Sequence, residues 1–139
     1  MKKIFIIVII VVFTISCDTG RVNNNPNIPN YTVNLQLNLN FYPLLQLAGN
    51  HIVNFDVGSG ARGIVIFNTG NNVYVAYDLA CPNQPFNICT SAMTVSGNNA
   101  TCDCDSTVYN LYTGQCPGQP YPMKQYHVEV SGGYLFVNN

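Results

Sequence analysis

Five cysteines, Cys81, Cys89, Cys102, Cys104 and Cys116, crowd into the segment from 81 to 116, and a sixth, Cys17, stands apart near the start of the chain. Cysteine at such density either holds a thiophilic metal or pairs as disulfides. Six in 139 residues is more than a reducing cytosol favours, so an oxidising compartment or a metal site is the first expectation. Cys102 and Cys104 are two apart. In extended chain they face the same way and do not bond each other. Of the three pairings open to Cys81, Cys89, Cys102 and Cys104, two survive that exclusion. Cys116 is left over once Cys17 is set aside: a free thiol, a competitor for one of those bonds, or evidence that Cys17 should not be set aside. Thiol exchange through Cys102-Asp103-Cys104 is disfavoured, because flanking carboxylates raise a thiol's pKa and hold back the thiolate.

No second reactive constellation accompanies the sulfurs. Asp78, Asp103, Asp105 and Glu129 lack the spacing of a calcium loop and read as solvated strand ends. A Ser-His-Asp order, a glycine-rich phosphate loop and a zinc-helix motif are all missing. The only histidines, His51 and His127, fall in strand patterns away from the cysteines and read as ordinary strand residues. Nine tyrosines include Tyr109, Tyr112 and Tyr121 beside the cysteine segment. Aromatic loops of this kind suit a protein or glycan partner, while most of the tyrosines are expected to fill the core or its rim. Five basic residues against six acidic ones, with no basic cluster, exclude a phosphate-backbone partner, so no nucleic acid is expected. With 8% charged and 47% hydrophobic residues the chain folds rather than staying disordered.

Strands must position these loops. From Tyr31 the residues alternate, with Tyr31, Val33, Leu35, Leu37, Leu39 and Phe41 on one face and Thr32, Asn34, Gln36, Asn38 and Asn40 on the other, which predicts a half-buried strand over 31–41. Further strand patterns cover 51–57, 63–68, 73–79, 107–113, 124–130 and 134–137. Thr69-Gly70-Asn71-Asn72, Ser96-Gly97-Asn98-Asn99 and Ser131-Gly132-Gly133 read as turns between them. Helical periodicity never lasts beyond a turn or two after Cys17, so the expected fold is an all-β antiparallel sandwich or small barrel in one domain.

The chain begins with Met1-Lys2-Lys3 and a nearly unbroken apolar run from Ile4 to Ile15. The run is shorter than the roughly 18 residues that span a bilayer, so residues 1–16 read as a signal peptide. Thr14-Ile15-Ser16-Cys17 resembles the bacterial lipobox, although Thr14 stands where Leu or Val is usual. That resemblance implies lipidation of Cys17 and a membrane partner through the lipid, each buried methylene contributing about 0.8 kcal/mol. Lys2 and Lys3 leave with the signal, so the mature chain is mildly acidic. Residues 17–30, rich in Asn and Pro, read as a flexible tether, and 31–139 as the β domain.

Two boxes, Cys81-Pro82-Asn83 and Cys102-Asp103-Cys104-Asp105-Ser106-Thr107, resemble the ligand boxes of the Rieske iron–sulfur family, Cys-x-His and Cys-x-x-His. The likeness extends to Thr113-Gly114-Gln115 and to Gly118-Gln119-Pro120-Tyr121-Pro122-Met123-Lys124-Gln125-Tyr126, which resembles the family's proline loop and the strand after it. It continues through Val128-Glu129-Val130 and Gly133-Tyr134-Leu135-Phe136-Val137. The resemblance implies a Rieske-like antiparallel sandwich or small barrel with two cysteine-bearing loops and a proline loop. It sets Cys81 and Cys102 at the thiolate positions and Asn83 and Asp105 where the two histidines stand. Those imidazoles hold one iron and raise the potential, so their absence leaves the ligand set incomplete and no conventional cluster is expected. In the disulfide-bearing branch of the family a further cysteine in each box joins the two loops. Cys89 and Cys104 resemble that pair, which leaves Cys81 to close on Cys102.

The expectation is therefore a cell-envelope lipoprotein, periplasmic or surface-exposed, whose degenerate Rieske-like domain carries no cofactor and serves as a binding or structural module, not an enzyme. Its rival is an electron-transfer protein that keeps a [2Fe-2S] cluster through Cys81, Cys102 and atypical ligation from Asn83 or Asp105.

Overall fold

The computed structural model describes residues 25–139. The expected signal peptide, the lipidation site Cys17 and the first part of the tether lie outside the described residues. Nine strands form two antiparallel sheets: β1 (Asn34–Asn38), β2 (His51–Asn54), β3 (Ile64–Gly70), β4 (Val73–Asp78), β5 (Thr94–Ser96), β6 (Asn99–Thr101), β7 (Val108–Asn110), β8 (Gln125–Ser131) and β9 (Tyr134–Asn138). The larger sheet has the order β1-β9-β8-β4-β3-β2 and the smaller β5-β6-β7. Among the described residues the only helical turns are the 3-10 segments Leu39–Phe41 and Pro43–Gln46. The all-β expectation holds.

The central strands explain the architecture. Ile64-Val65-Ile66-Phe67 in β3 is apolar on both faces, as a strand buried on both sides must be. Val65 and Phe67 face one core with Tyr77, Leu79, Met93, Tyr109, Leu111 and Met123. Ile64 and Ile66 face the other with Val33, Leu37, Leu45, Tyr126, Leu135 and Val137. β4 meets β8 over only two residue pairs, Ala76 with Tyr126 and Tyr77 with Gln125. The large sheet folds over at that short seam into a half-barrel around the second core, while the small sheet and the cysteine loops cover the first.

Several expected boundaries move, the largest of them for local reasons. The strand predicted over 31–41 is confined to β1, with Tyr31 and Phe41 exposed. Its partner β9 runs out at Tyr134, paired with Asn38, and the Asn38 side chain then accepts from the Asn40 amide and caps a 3-10 turn. The strand predicted over 107–113 shrinks to β7, because the Thr113 and Gly114 amides turn back onto the Asn110 carbonyl. The turn read at 96–99 is flanked by β5 and β6, strands too short and polar to show as a pattern. Residues 25–30, read as tether, lie on the domain: Asn25 and Asn27 donate to the Pro82 carbonyl, Ile28 is buried, and Lys124 Nζ donates to Pro29 O and Asn30 Oδ1. Side-chain amides pairing with backbone hold this polar segment where apolar patterning is absent.

Asp78, read as a solvated strand end, is fully buried. Its carboxylate accepts from the amides of Ala61 (2.6 Å), Arg62 (3.2 Å) and Ala80 (2.8 Å) and from the Tyr126 hydroxyl (2.7 Å). One side chain thus ties the 60–62 turn, β8 and the start of the first cysteine loop to the end of β4. The chain comes so close that a Cβ on Gly60, whose φ is +66°, would run into the carboxylate. Replacing Asp78 with Ala strands these donors in the interior and is expected to cost about 3 to 5 kcal/mol in urea unfolding, with Asp78→Asn costing less because one acceptor oxygen remains.

Burial pushes the Tyr77 pKa up to about 12. Tyr126 is also raised, by burial first and then by the charge and hydrogen bond of Asp78. A group whose folded pKa exceeds its unfolded value contributes stability that is complete below the unfolded pKa and is lost as pH climbs toward the folded one. The urea midpoint is therefore expected to hold up to about pH 10 and to fall between about 10 and 12. Tyr77→Phe should make that decline shallower.

Candidate functional site: the cysteine loops

Three loops meet beside the small sheet. The first, 79–93, joins β4 to β5 and is closed at its neck by Met93 N donating to Leu79 O at 2.7 Å. Within it the amides of Ile88 and Cys89 both turn onto Pro85 O. Arg62 holds it from outside, with Nη2 3.0 Å from Phe86 O and the guanidinium 4.1 Å from the Phe86 ring centroid. The second, 102–107, is a tight turn in which Cys102 N donates to Thr107 O and Ser106 N to Cys102 O. Ser106 takes a φ of +60° there. The third, 114–123, is closed by Met123 N to Gly114 O at 2.7 Å. Gly114, with a φ of +69°, lies so close to the Tyr77 ring that a Cβ there would run into it.

Cys81 is bonded to Cys102 and Cys89 to Cys104, with Cα atoms 5.5 and 6.0 Å apart. These are the pairs that the resemblance implied. Cys102 and Cys104 take different partners across a turn, not along the extended chain assumed from their spacing. Cys81, Cys89 and Cys102 are buried in the first core, whereas Cys104 is exposed. Each bond closes a loop of moderate length, which on the chain-entropy model stabilises by about 3 kcal/mol. Cys116 is a free thiol, partly buried against the same core.

Asn83 and Asp105 are both occupied. The Asn83 amide donates from Nδ2 to Tyr121 O (2.7 Å) and to the Tyr109 hydroxyl (2.8 Å), and its Oδ1 accepts from Tyr121 N (3.1 Å). It pairs with the Tyr121 backbone as a neighbouring strand would, and so fastens the third loop to the first. The Asp105 carboxylate accepts from Thr107 N (2.9 Å), Thr107 Oγ1 (2.6 Å) and Gln84 Nε2 (2.7 Å). Partial burial raises its pKa, but the Thr107 and Gln84 hydrogen bonds outweigh that and hold it below the usual carboxylate value. Asp105 is therefore ionised at neutral pH and spans the first and second loops through Gln84.

A [2Fe-2S] centre of the kind the resemblance implies does not fit these residues. Its two thiolate positions are bonded to each other, and its two imidazole positions carry an amide and a carboxylate already engaged by protein donors and acceptors. His51 lies in β2 and His127 in β8, outside the three loops. Of the tyrosines considered for a sticky surface, Tyr109 is buried, Tyr112 packs edge-on against Phe67 with centroids 4.8 Å apart, and Tyr121 is exposed on the third loop. Arg62 and Gln84 were not singled out by the sequence, because an isolated Arg or Gln carries no spacing signal and acquires its role only when distant loops converge.

No protein-family model matches the chain, and no curated protein matches it. Among solved structures it is similar to a chain of the complex of reduced oxygenase and oxidized ferredoxin in carbazole 1,9a-dioxygenase, at 21% identity over 66% of this chain and 82% of that one, with a TM-score of 0.45. Similarity also extends to Sphingomonas yanoikuyae B1 ferredoxin, at 14% identity over 67% and 88%, with a TM-score of 0.44. A putative NADH-dependent nitrite reductase small subunit from Mycobacterium tuberculosis aligns at 16% identity over 79% and 97%, with a TM-score of 0.47.

Replacing Asn83 with Ala leaves the Tyr121 amide and carbonyl and the Tyr109 hydroxyl without this partner, at an expected cost of about 1 to 3 kcal/mol. Hydrogen exchange is expected to accelerate at Tyr121 while both disulfides persist. An unchanged Tyr121 exchange rate would remove Asn83 from its role in holding the third loop.

Proposed function

We propose that the chain is a membrane-anchored cell-envelope lipoprotein whose Rieske-like domain has exchanged its cluster for disulfides and acts as a binding or structural module, not as an enzyme. The observation that carries this reading is the state of positions 83 and 105: both side chains are committed to joining loops, while Cys81 and Cys102 are bonded to each other. The loops that would shield a cluster are instead tied into a rigid platform. Ile88 and Tyr121 are exposed on it and Val108 at its edge, an apolar rim suited to a protein or glycan partner. The N-terminal run and the Cys17 motif support an anchor in the envelope, where oxidising conditions preserve the two bonds.

Protein isolated natively from membranes is expected to be colourless, to lack stoichiometric iron and acid-labile sulfide, and to gain about 4 Da on reduction, the signature of two disulfides. Its mass should also correspond to cleavage before Cys17 with lipid attached. A brown protein with visible absorbance, iron and sulfide would make it an electron-transfer protein, and an unmodified Cys17 would remove the anchor.

A further inference from the structure

The four bonded cysteines are closer together than two separate disulfides require. Their sulfur atoms all lie within 4.8 Å of one another, and Cys81 Sγ and Cys89 Sγ, which belong to different bonds, are 3.4 Å apart. A tetrahedral zinc ion, with Zn–S bonds of about 2.3 Å, needs sulfurs about 3.8 Å apart along each edge. After reduction the bonded pairs need only open to that edge length, and the unbonded separations already bracket it. A two-iron cluster needs sulfur pairs set apart on either side of two irons and two sulfides. So compact a set suits a single ion.

The surroundings favour such a site. Cys81, Cys89 and Cys102 sit among Leu79, Met93, Tyr109, Leu111 and Met123, where water is excluded, and exposed Cys104 leaves an entry path. Closures that do not involve sulfur keep the loops adjacent when the disulfides open: Met93 to Leu79, Ser106 to Cys102, and Gln84 to Asp105. The carboxylates of Asp103 and Asp105 flank Cys104 and attract a cation to that entrance. An all-sulfur donor set selects thiophilic ions over magnesium or calcium.

We propose that the reduced chain binds one thiophilic divalent cation of the zinc class through Cys81, Cys89, Cys102 and Cys104, so that the same four sulfurs exist either as two disulfides or as one tetrathiolate site. Each S–S bond breaks with two electrons from a dithiol, whose own sulfurs join as a disulfide while its two protons pass to the cysteines. The four thiols then release four protons as four sulfur–metal bonds form. This goes beyond the function proposed above, which concerns the oxidised chain, and its failure leaves that reading standing.

The test uses the full chain reduced anaerobically with a water-soluble phosphine, which becomes its oxide with oxygen from water. The phosphine is removed and the chain is titrated with Co2+ and then Zn2+. Saturation is expected at one Co2+ per chain, with thiolate-to-cobalt charge-transfer absorption, tetrahedral visible bands, a native sheet circular-dichroism spectrum kept or restored, and displacement by Zn2+. Cys89→Ser and Cys104→Ser are expected to weaken Zn2+ binding by at least about tenfold, and Cys116→Ser to leave it unchanged. Absence of the tetrahedral spectrum, a stoichiometry other than one, or cobalt bound without the native sheet spectrum would overturn the proposal. Equal affinity in the oxidised chain or in Cys104→Ser would do the same.

Discussion

Everything at the cysteine end depends on three irregular loops being held against one another without a ladder between them. Loops cannot satisfy one another through regular backbone pairing, so other bonds must do it. The Cys81–Cys102 disulfide supplies the inner closure, set in the core among Leu79, Tyr109 and Met123. Cys89–Cys104 supplies the outer one, running from a buried sulfur to an exposed one. Beneath them the Asp78 carboxylate fixes where the first loop leaves β4, through hydrogen bonds to three amides and a tyrosine hydroxyl. A buried charge is costly unless its oxygens are fully engaged, and here that engagement makes the carboxylate an anchor.

Positions 83 and 105 show how side chains can hold irregular loops together. A side chain there that reached inward could ligate a metal. Asn83 and Asp105 reach sideways, to Tyr121 and Tyr109 in one case and to Thr107 and Gln84 in the other. Both residue types imitate backbone, the amide by offering a donor and an acceptor together and the carboxylate by accepting from the residue two positions on. Both side chains join loops mechanically, and the loops lie close enough for sulfur to complete the arrangement.

The sequence was most legible where a pattern repeats. Alternation at 33–39 and the unbroken apolar run at 64–67 were visible, because burial on one face or two imposes a period on the residues themselves. Strand ends were less visible: Phe41 continues the alternation yet is exposed, since the strand beside it has already turned. β5 and β6 were invisible, with three residues each and polar content. Asn25 to Asn30 looked like a leash because amide-to-backbone pairing leaves no hydrophobic trace.

Residue types and spacing by themselves determined an all-β chain with few charges and with five cysteines crowded between positions 81 and 116. Those properties belong to each residue or its near neighbours. Tertiary structure alone decided that Asp78 is buried, that Arg62 and Gln84 brace the loops, and that four sulfurs from two loops converge within 4.8 Å. Such facts depend on segments distant in sequence converging, and that convergence has no periodic signature in the chain.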